Sequence, residues 1–238
     1  MRNGKAIGYL LIAGAVDVLL PYIILTLIFD YPGILREESS TILIRFHQGG
    51  SSLIFTWFAF AILGLPLLVA YSLIGQVVNV KKPQLKWATT IGVISVIVQI
   101  IALLRWVFVV PVLATEYVNT SSSSKQEAIE TSFKLIHQFA GVLLGEHIGQ
   151  LFTIIWTIVI SAALYRLKLI PKWLSWWGFI ASFIYFLAQA ELLATVIPGF
   201  PVIGIAGFLG STLWLLWIIL AGFQFIKGGK GITQTLNH

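Results

Sequence analysis

Charged residues are scarce in this chain of 238 residues, and cysteine is absent. Only 10% of the residues are charged, whereas soluble domains carry about a quarter, so the sequence cannot cover a water-facing surface of this size. The absence of cysteine excludes a disulfide framework, a thiolate nucleophile and a cysteine-ligated metal. No hydrophilic stretch is long enough to fold separately, so a single transmembrane domain over residues 1–238 is predicted.

Apolar residues make up 58% of the chain and occur in six long blocks. Each block holds at least ~20 residues, enough to cross ~30 Å of hydrocarbon as a helix, and the alternation of membrane β-strands is missing. The first block is too long for a signal peptide and lacks a cleavage site, so a retained helix is expected. The sequence predicts an all-α polytopic membrane protein, a six-transmembrane-helix bundle with spans 6–29, 51–75, 86–113, 139–164, 171–196 and 202–226.

Basic residues between the blocks predict the orientation of the chain. One side of the membrane receives ten basic and no acidic residues: Arg2, Lys5, Lys81, Lys82, Lys86, Arg166, Lys168, Lys172, Lys227 and Lys230. The other side receives four basic and six acidic residues. The positive-inside rule then places both termini in the cytoplasm of a cell whose plasma membrane holds the protein. The net charge of +6 fits membrane lipid headgroups as partners, and no nucleic-acid-binding surface is evident.

Glycines recur in two of the blocks at spacings that favour close helix packing. The fourth block has Gly141, Gly145 and Gly149, and the sixth has Gly204, Gly207 and Gly210. Small residues at such spacing let a neighbouring backbone approach closely. Packing within the bundle is the favoured interpretation, and a homo-oligomer through these glycine-rich faces is the alternative.

Four charged residues fall inside the predicted spans: Asp17, Arg105, Glu146 and Glu191. A charge facing lipid at a helix centre costs roughly 2.5–3.5 kcal/mol or more, so each should face the bundle interior. Arg105 lies eight residues before the outer end of its span and Glu146 seven after the outer start of the next. Both are therefore about 10–12 Å deep, and the inner half of the spans has no charged residue.

A polar site that opens outward is the functional interpretation of this distribution. Arg105 would hold an anionic small molecule or lipid headgroup, while Glu146 and Glu191 would balance its charge or relay protons. His147 and His137 would tune protonation near neutral pH. The remaining polar residues assigned to the ligand site are Gln150, His47 and Asp17. The structural alternative is that Arg105 pairs with Glu146 or Glu191 only to lock helices together.

Three other functions are weaker alternatives. A proton-coupled transporter would need a polar path through the inner half, which the sequence lacks. A metal or haem protein could use the histidines, but at 100° per residue His137 and His147 are offset by ~80° on an α-helix and no HExxH motif occurs. A non-catalytic subunit of a membrane assembly is the third. No enzyme signature is present, and neither a metal nor a cofactor is predicted.

Three stretches together resemble the bacterial membrane family called domain of unknown function 4386. They are LRWVFVVPVLATEYV (104–118), HQFAGVLLGEHIGQLFTIIWT (137–157) and LIPKWLSWWGFIA (169–181). The order of the segments and the six-span layout also fit, so the resemblance covers nearly the whole chain. It implies a bacterial or archaeal polytopic membrane protein and no particular activity. Many members carry a glutamate in the last span, where this chain has Gly210, Ser211 and Thr212.

Overall fold

The computed structural model describes residues 2–228, and between these residues it contains helices and no strand. Lys230, one of the basic residues that predict orientation, lies outside the described residues. Six helical segments are long and apolar enough to cross a membrane, which confirms the all-α fold with six spans. They are Gly4–Phe29, Ser39–Lys81, Pro83–Asn119, Ser123–Arg166, Lys172–Ala194 and Ala206–Lys227.

Breaks in these six segments divide them into shorter helices. The α-helices are α1 (Arg2–Phe29), α2 (Ser39–Ile62), α3 (Leu65–Lys81), α4 (Lys86–Phe108), α5 (Val110–Asn119), α6 (Ser123–Ile136), α7 (Gln150–Arg166), α8 (Lys172–Leu187), α9 (Gln189–Ala194) and α10 (Ala206–Lys227). Short 3₁₀ turns cover Gly33–Arg36 and Pro83–Leu85, and a π-helix covers His137–Gly149.

The second, third and fourth segments are longer than the spans predicted for them. The predicted span 51–75 lies within a helical segment of 43 residues, and 139–164 within one of 44. Hydropathy detects only the part of a helix that is apolar, whereas α6, with its polar SSKQEAIETSFK sequence, continues the helical path outside the apolar block. The apolar blocks therefore locate the spans correctly but understate the helices.

Two of the breaks follow directly from glycine and proline. Gly50 has φ 55° and ψ −151°, a conformation that only glycine adopts readily, and it bends α2 where the predicted span begins. The chain turns again at Leu63 and Gly64, and Pro66 falls in the first turn of α3. A proline there loses no helical hydrogen bond, so the bend lies just before it.

The residues group into two compact units. Unit 1 comprises the chain up to Val16, Leu65–Ile97 and the chain from Glu146 onward, and unit 2 comprises Asp17–Gly64 and Val98–Gly145. The four first segments each contribute to both units, while α8, α9 and α10 belong to unit 1 alone. That the six spans form one transmembrane domain stays a prediction.

Unit 1 is held by close contacts between α7, α8 and α10. The ring of Tyr71 stacks on Trp156, and Trp217 meets Trp156 edge-on with centroids 6.1 Å apart. Indole N–H groups cross between helices: Trp217 Nε1 donates to Leu174 O and Trp177 Nε1 donates to Leu213 O. In hydrocarbon such polar crosslinks and tight packing stabilise helix pairs, because burial of apolar surface drives little association there.

Unit 2 is built around stacked indoles. Trp57 and Trp106 lie parallel with ring centroids 4.7 Å apart, and both are fully buried. Phe46 stacks on Trp106 at 5.6 Å, and Phe29 meets Trp57 and Trp106 edge-on. Phe133 of α6 closes the cluster at 6.2 Å from Trp106. Offset-stacked and edge-on pairs are the favoured aromatic geometries, so this cluster fixes α1, α2, α4 and α6 of unit 2.

The glycines of the sixth predicted span, 202–226, differ sharply in what surrounds them. A Cβ at Gly210 would lie 2.5 Å from Tyr185 Cα and 2.6 Å from Tyr185 N, so α10 packs directly on the backbone of α8. A Cβ at Gly207 would meet only Ala188 Cβ at 3.8 Å, and one at Gly204 would meet nothing within 4 Å. The packing within the chain that the glycine spacing predicts is therefore present at Gly210, and the homo-oligomer stays a prediction.

Gly210→Ala should destabilise the protein, whereas Gly204→Ala should not. Because the added methyl meets a rigid backbone, we expect a loss of about 1–3 kcal/mol for Gly210→Ala. Survival of the monodisperse species after heating in detergent, followed by fluorescence-detected gel filtration, measures the difference. Equal heat resistance of the two variants would contradict the packing described for α8 and α10.

Candidate functional site

Arg105 is the buried cation of unit 2. It lies in the last turn of α4 and is 7% exposed. Its Nη1 donates to Ala102 O at 2.6 Å, and its Cζ lies 5.2 Å from the centroid of the Trp106 ring. A guanidinium over an indole face gains up to ~2 kcal/mol when desolvated. Two consecutive residues, Arg105 and Trp106, therefore supply both the positive charge and the aromatic ring that stabilises it.

Glycines of the π-helix make room for this arginine. A Cβ at Gly141 would lie 2.6 Å from Arg105 Nη2, and one at Gly145 would lie 2.8 Å from Ala102 Cβ. Gly141 and Gly145, four residues apart on the π-helix, therefore face Arg105 and Ala102, which are three residues apart on α4. The predicted use of these glycines within the bundle is confirmed for Gly141 and Gly145.

His137 joins Arg105 at the same indole. Its ring stacks on Phe133 at 5.6 Å and meets Trp106 edge-on at 6.1 Å. In the described part of the chain, the buried His137 Nδ1 and Trp57 Nε1 have no hydrogen-bond partner. We call Arg105, Trp106, Trp57, His137 and Gly141 the arginine cluster. It offers N–H groups and a positive charge, which suit an oxygen-bearing or anionic group.

The other predicted site residues of unit 2 lie elsewhere. His47 is exposed on α2, close to the bend at Gly50, and Asp17 is half-buried in the middle of α1. The aromatic core around Trp106 contains neither of them. Hydropathy gave their depth along the chain, but depth alone does not reveal which way a helix face points.

A second polar cluster lies in unit 1, where the π-helix meets α7. Gln189 is its centre: Gln189 Nε2 donates to Glu146 O at 3.2 Å and to Gln150 Oε1 at 3.1 Å. Gln189 Oε1 lies 2.8 Å from His147 Nδ1. We call Glu146, His147, Gln150 and Gln189 the glutamine cluster. It brings together three of the four predicted site residues of unit 1, and Glu191 follows on α9, half-buried.

The hydrogen bonds of Gln189 also fix the tautomer of His147. Because Glu146 O can only accept, the amide nitrogen of Gln189 must point towards it, and the amide oxygen then faces His147. His147 Nδ1 therefore carries the proton in that bond. The other ring nitrogen, Nε2, is not used by the bond to Gln189.

Gln189 is not among the predicted site residues, although Glu191, two positions later, is. Gln189 is 7% exposed and occupies the first position of α9, directly after the break at Ala188. The π-helix was also missed, and with it the angular argument about His137 and His147. That argument used α-helical geometry, whereas His137–Gly149 bonds from i to i+5. The offset of ~80° is wrong for this segment.

π-helices are rare and concentrate at functional sites. Here the π-helix of 13 residues carries His137 and Gly141 at one end and Glu146 and His147 at the other. At Gln150 the backbone hydrogen bonds change to the α-helical pattern. Where the backbone pattern changes, a side chain commonly makes a hydrogen bond to a backbone group of the helix. The bond from Gln189 to the Glu146 carbonyl is of this kind.

Gln189→Leu should loosen unit 1 around this junction. Leucine keeps the volume but removes three hydrogen bonds, and leaving buried polar groups without partners costs about 1–3 kcal/mol. We expect a clear fall in the midpoint of thermal denaturation in detergent. Gln48→Leu, at an exposed position of α2, is the matched control and should change the midpoint little. Indistinguishable midpoints would mean that the Gln189 hydrogen bonds do not form.

Comparison with known proteins identifies a family but no activity. The family model described as domain of unknown function (DUF4386) matches residues 6–222. No curated protein and no solved structure matches the chain.

Proposed function

The chain belongs to the family described as domain of unknown function (DUF4386), and we propose that it binds an anionic small molecule or lipid headgroup at the arginine cluster. The observation that carries this proposal is the burial of the Arg105 guanidinium in a membrane-spanning segment. An ionisable residue kept at such a position is costly and usually serves a function.

The surroundings of Arg105 favour a ligand that accepts hydrogen bonds. The guanidinium of Arg105 carries a positive charge and five N–H donors, and Nη1 donates to Ala102 O. The indole Nε1 of Trp57 adds a buried N–H donor in the same cluster, and Nδ1 of His137 donates when that nitrogen carries the ring proton. A carboxylate or phosphate oxygen would balance the positive charge and accept hydrogen bonds from these N–H donors. That Glu146 or Glu191 shares this charge stays a prediction.

The orientation and location of the protein belong to the same proposal. Both termini lie in the cytoplasm and the arginine cluster lies in the outer half of the spans, as the distribution of lysine and arginine predicts. The membrane is the plasma membrane of a bacterial or archaeal cell. In this orientation the ligand reaches the cluster from the outer side.

Arg105→Gln should reduce the amount of anionic ligand that remains with the purified protein. Glutamine keeps hydrogen-bonding ability but removes the charge, so we expect a loss of about tenfold or more in retained ligand. Native mass spectrometry of protein released gently from detergent micelles measures the bound mass. Arg105→Lys should retain part of the binding through charge, but less than wild type because the planar fork is lost.

Arg166→Gln is the matched control. Arg166 is the last residue of α7 in unit 1 and is exposed. It should leave the mass bound at the arginine cluster unchanged. If a correctly folded Arg105→Gln variant retains as much anionic ligand as Arg166→Gln, the proposed binding role of Arg105 is wrong.

The absence of native cysteine allows a direct test of orientation. Ser121→Cys lies between α5 and α6, and Gln84→Cys lies between α3 and α4; both positions are exposed. A membrane-impermeant maleimide should label Ser121→Cys in intact cells and Gln84→Cys only after the membrane is opened. Labelling of Gln84→Cys in intact cells would show that the orientation is the opposite one, with the arginine cluster in the inner half of the membrane.

A further inference from the structure

An apolar groove runs along unit 2 between α1 and α2. Its volume is about 440 Å³, within the range of ~300–1,000 Å³ that small-molecule sites occupy. Eight residues line it: Leu20, Pro21, Ile24, Ser52, Phe55, Thr56, Ala59 and Leu63. None of them belongs to the arginine cluster or the glutamine cluster.

The walls of the groove present hydrocarbon almost exclusively. Phe55 is 70% exposed and Leu20 is 54% exposed, although both are large and apolar. The hydroxyl of Thr56 donates to Ser52 O at 2.8 Å, back into its own helix. Pro21, inside α1, contributes no backbone N–H. Both helices belong to membrane-spanning segments, so the material that meets these walls is lipid.

A pair of opposite charges lies on the same two helices towards the outer side. Asp30 directly follows α1, and Arg45 lies in the part of α2 before the bend at Gly50. Arg45 Nη1 and Asp30 Oδ2 are 3.9 Å apart, and the two side chains are 40% and 68% exposed. This distance leaves room for each charge to take an additional partner.

The distance between the charge pair and the groove is similar to the distance between the headgroup and the acyl chains of a lipid. Asp30 follows Ile24 by six positions, and α1 continues as far as Phe29. At ~1.5 Å per residue, the charge pair lies about 9 Å beyond the outer end of the groove. A glycerophospholipid has its charged headgroup and the start of its acyl chains at a comparable separation across the interfacial region.

We infer that this face binds one glycerophospholipid with a zwitterionic ethanolamine-type headgroup, its acyl chain in the groove. The phosphate meets the Arg45 guanidinium, whose fork of N–H groups suits phosphate oxygens, and the ammonium meets the Asp30 carboxylate. A headgroup that carries only negative charge is disfavoured because the Asp30 carboxylate stands beside Arg45. This lipid site goes beyond the proposed function and uses different residues.

Filling the groove tests the acyl-chain part of this inference. Ala59→Phe places a ring in the groove, and Ala13→Phe, an exposed position on α1 outside the groove, is the matched control. Delipidated protein in detergent is titrated with phosphatidylethanolamine and with phosphatidylglycerol of the same acyl chains, and bound lipid is counted by native mass spectrometry. Ala59→Phe should weaken phosphatidylethanolamine binding about tenfold or more, while Ala13→Phe should match the wild type.

Replacing the carboxylate tests the headgroup part with a surface change that leaves the core intact. Asp30→Asn should remove the preference for phosphatidylethanolamine over phosphatidylglycerol, whereas Arg45→Gln should weaken binding of both lipids. Arg166→Gln, at an exposed arginine that ends α7, should leave phosphatidylethanolamine binding unchanged. Equal binding by Ala59→Phe and Ala13→Phe, or a preference that survives Asp30→Asn, overturns the inference. A wild-type dimer that dissociates only in the Ala59→Phe variant also overturns the inference, because the groove would then be occupied by a second copy of the chain.

Discussion

Hydrocarbon does not solvate charge, and the structure of unit 2 depends on how the chain meets this constraint at Arg105. The guanidinium is withdrawn from lipid, lies over the Trp106 ring and donates to the carbonyl one turn earlier. Gly141 offers it a surface without a side chain, since a Cβ there would collide with Nη2. Each of these features is a local property of a few residues, yet together they determine how α4 and the π-helix pack. The aromatic core around Trp57 and Trp106 then completes the shell that keeps lipid away.

The π-helix links the two polar clusters along one segment. It contributes His137 and Gly141 to unit 2, and Glu146 and His147 to unit 1. A helix that bonds from i to i+5 is wider and less well packed than an α-helix, so it persists where its surroundings compensate for it. The glycines at 141 and 145 allow α4 to approach, and Gln189 adds a hydrogen bond at the end where α-helical bonding resumes. The segment that carries the polar chemistry is thus also the least regular helix of the chain.

Much of the fold could be predicted from the sequence because the hydrophobic pattern of a membrane helix is long and unambiguous. Six apolar blocks gave six spans, and the spacing of Gly141 and Gly145 indicated packing inside the chain. The helices extend beyond the apolar blocks because a polar segment such as α6 gives no hydropathy signal even where its residues favour a helix. The π-helix could not be predicted, since its register depends on contacts with α4 and α9 rather than on its own composition.

The candidate site was predictable only as a set of residues at similar depth. Depth follows from counting residues along a span, but the direction of a side chain depends on the exact rotation of each helix. Arg105 and His137 do meet at Trp106, and Glu146, His147 and Gln150 do meet at Gln189, while His47 lies exposed on α2. Gln189 carried a weak signal: an amide inside an apolar block must find hydrogen-bond partners.

A structure of the protein in a lipid nanodisc, determined by electron cryomicroscopy at a resolution that shows side chains, tests the central claim most directly. The account predicts density for the Arg105 guanidinium between the Trp106 ring and Gly141, with an anionic group within hydrogen-bonding distance. Density for Arg105 that extends into the surrounding lipid, away from Trp106, would contradict it.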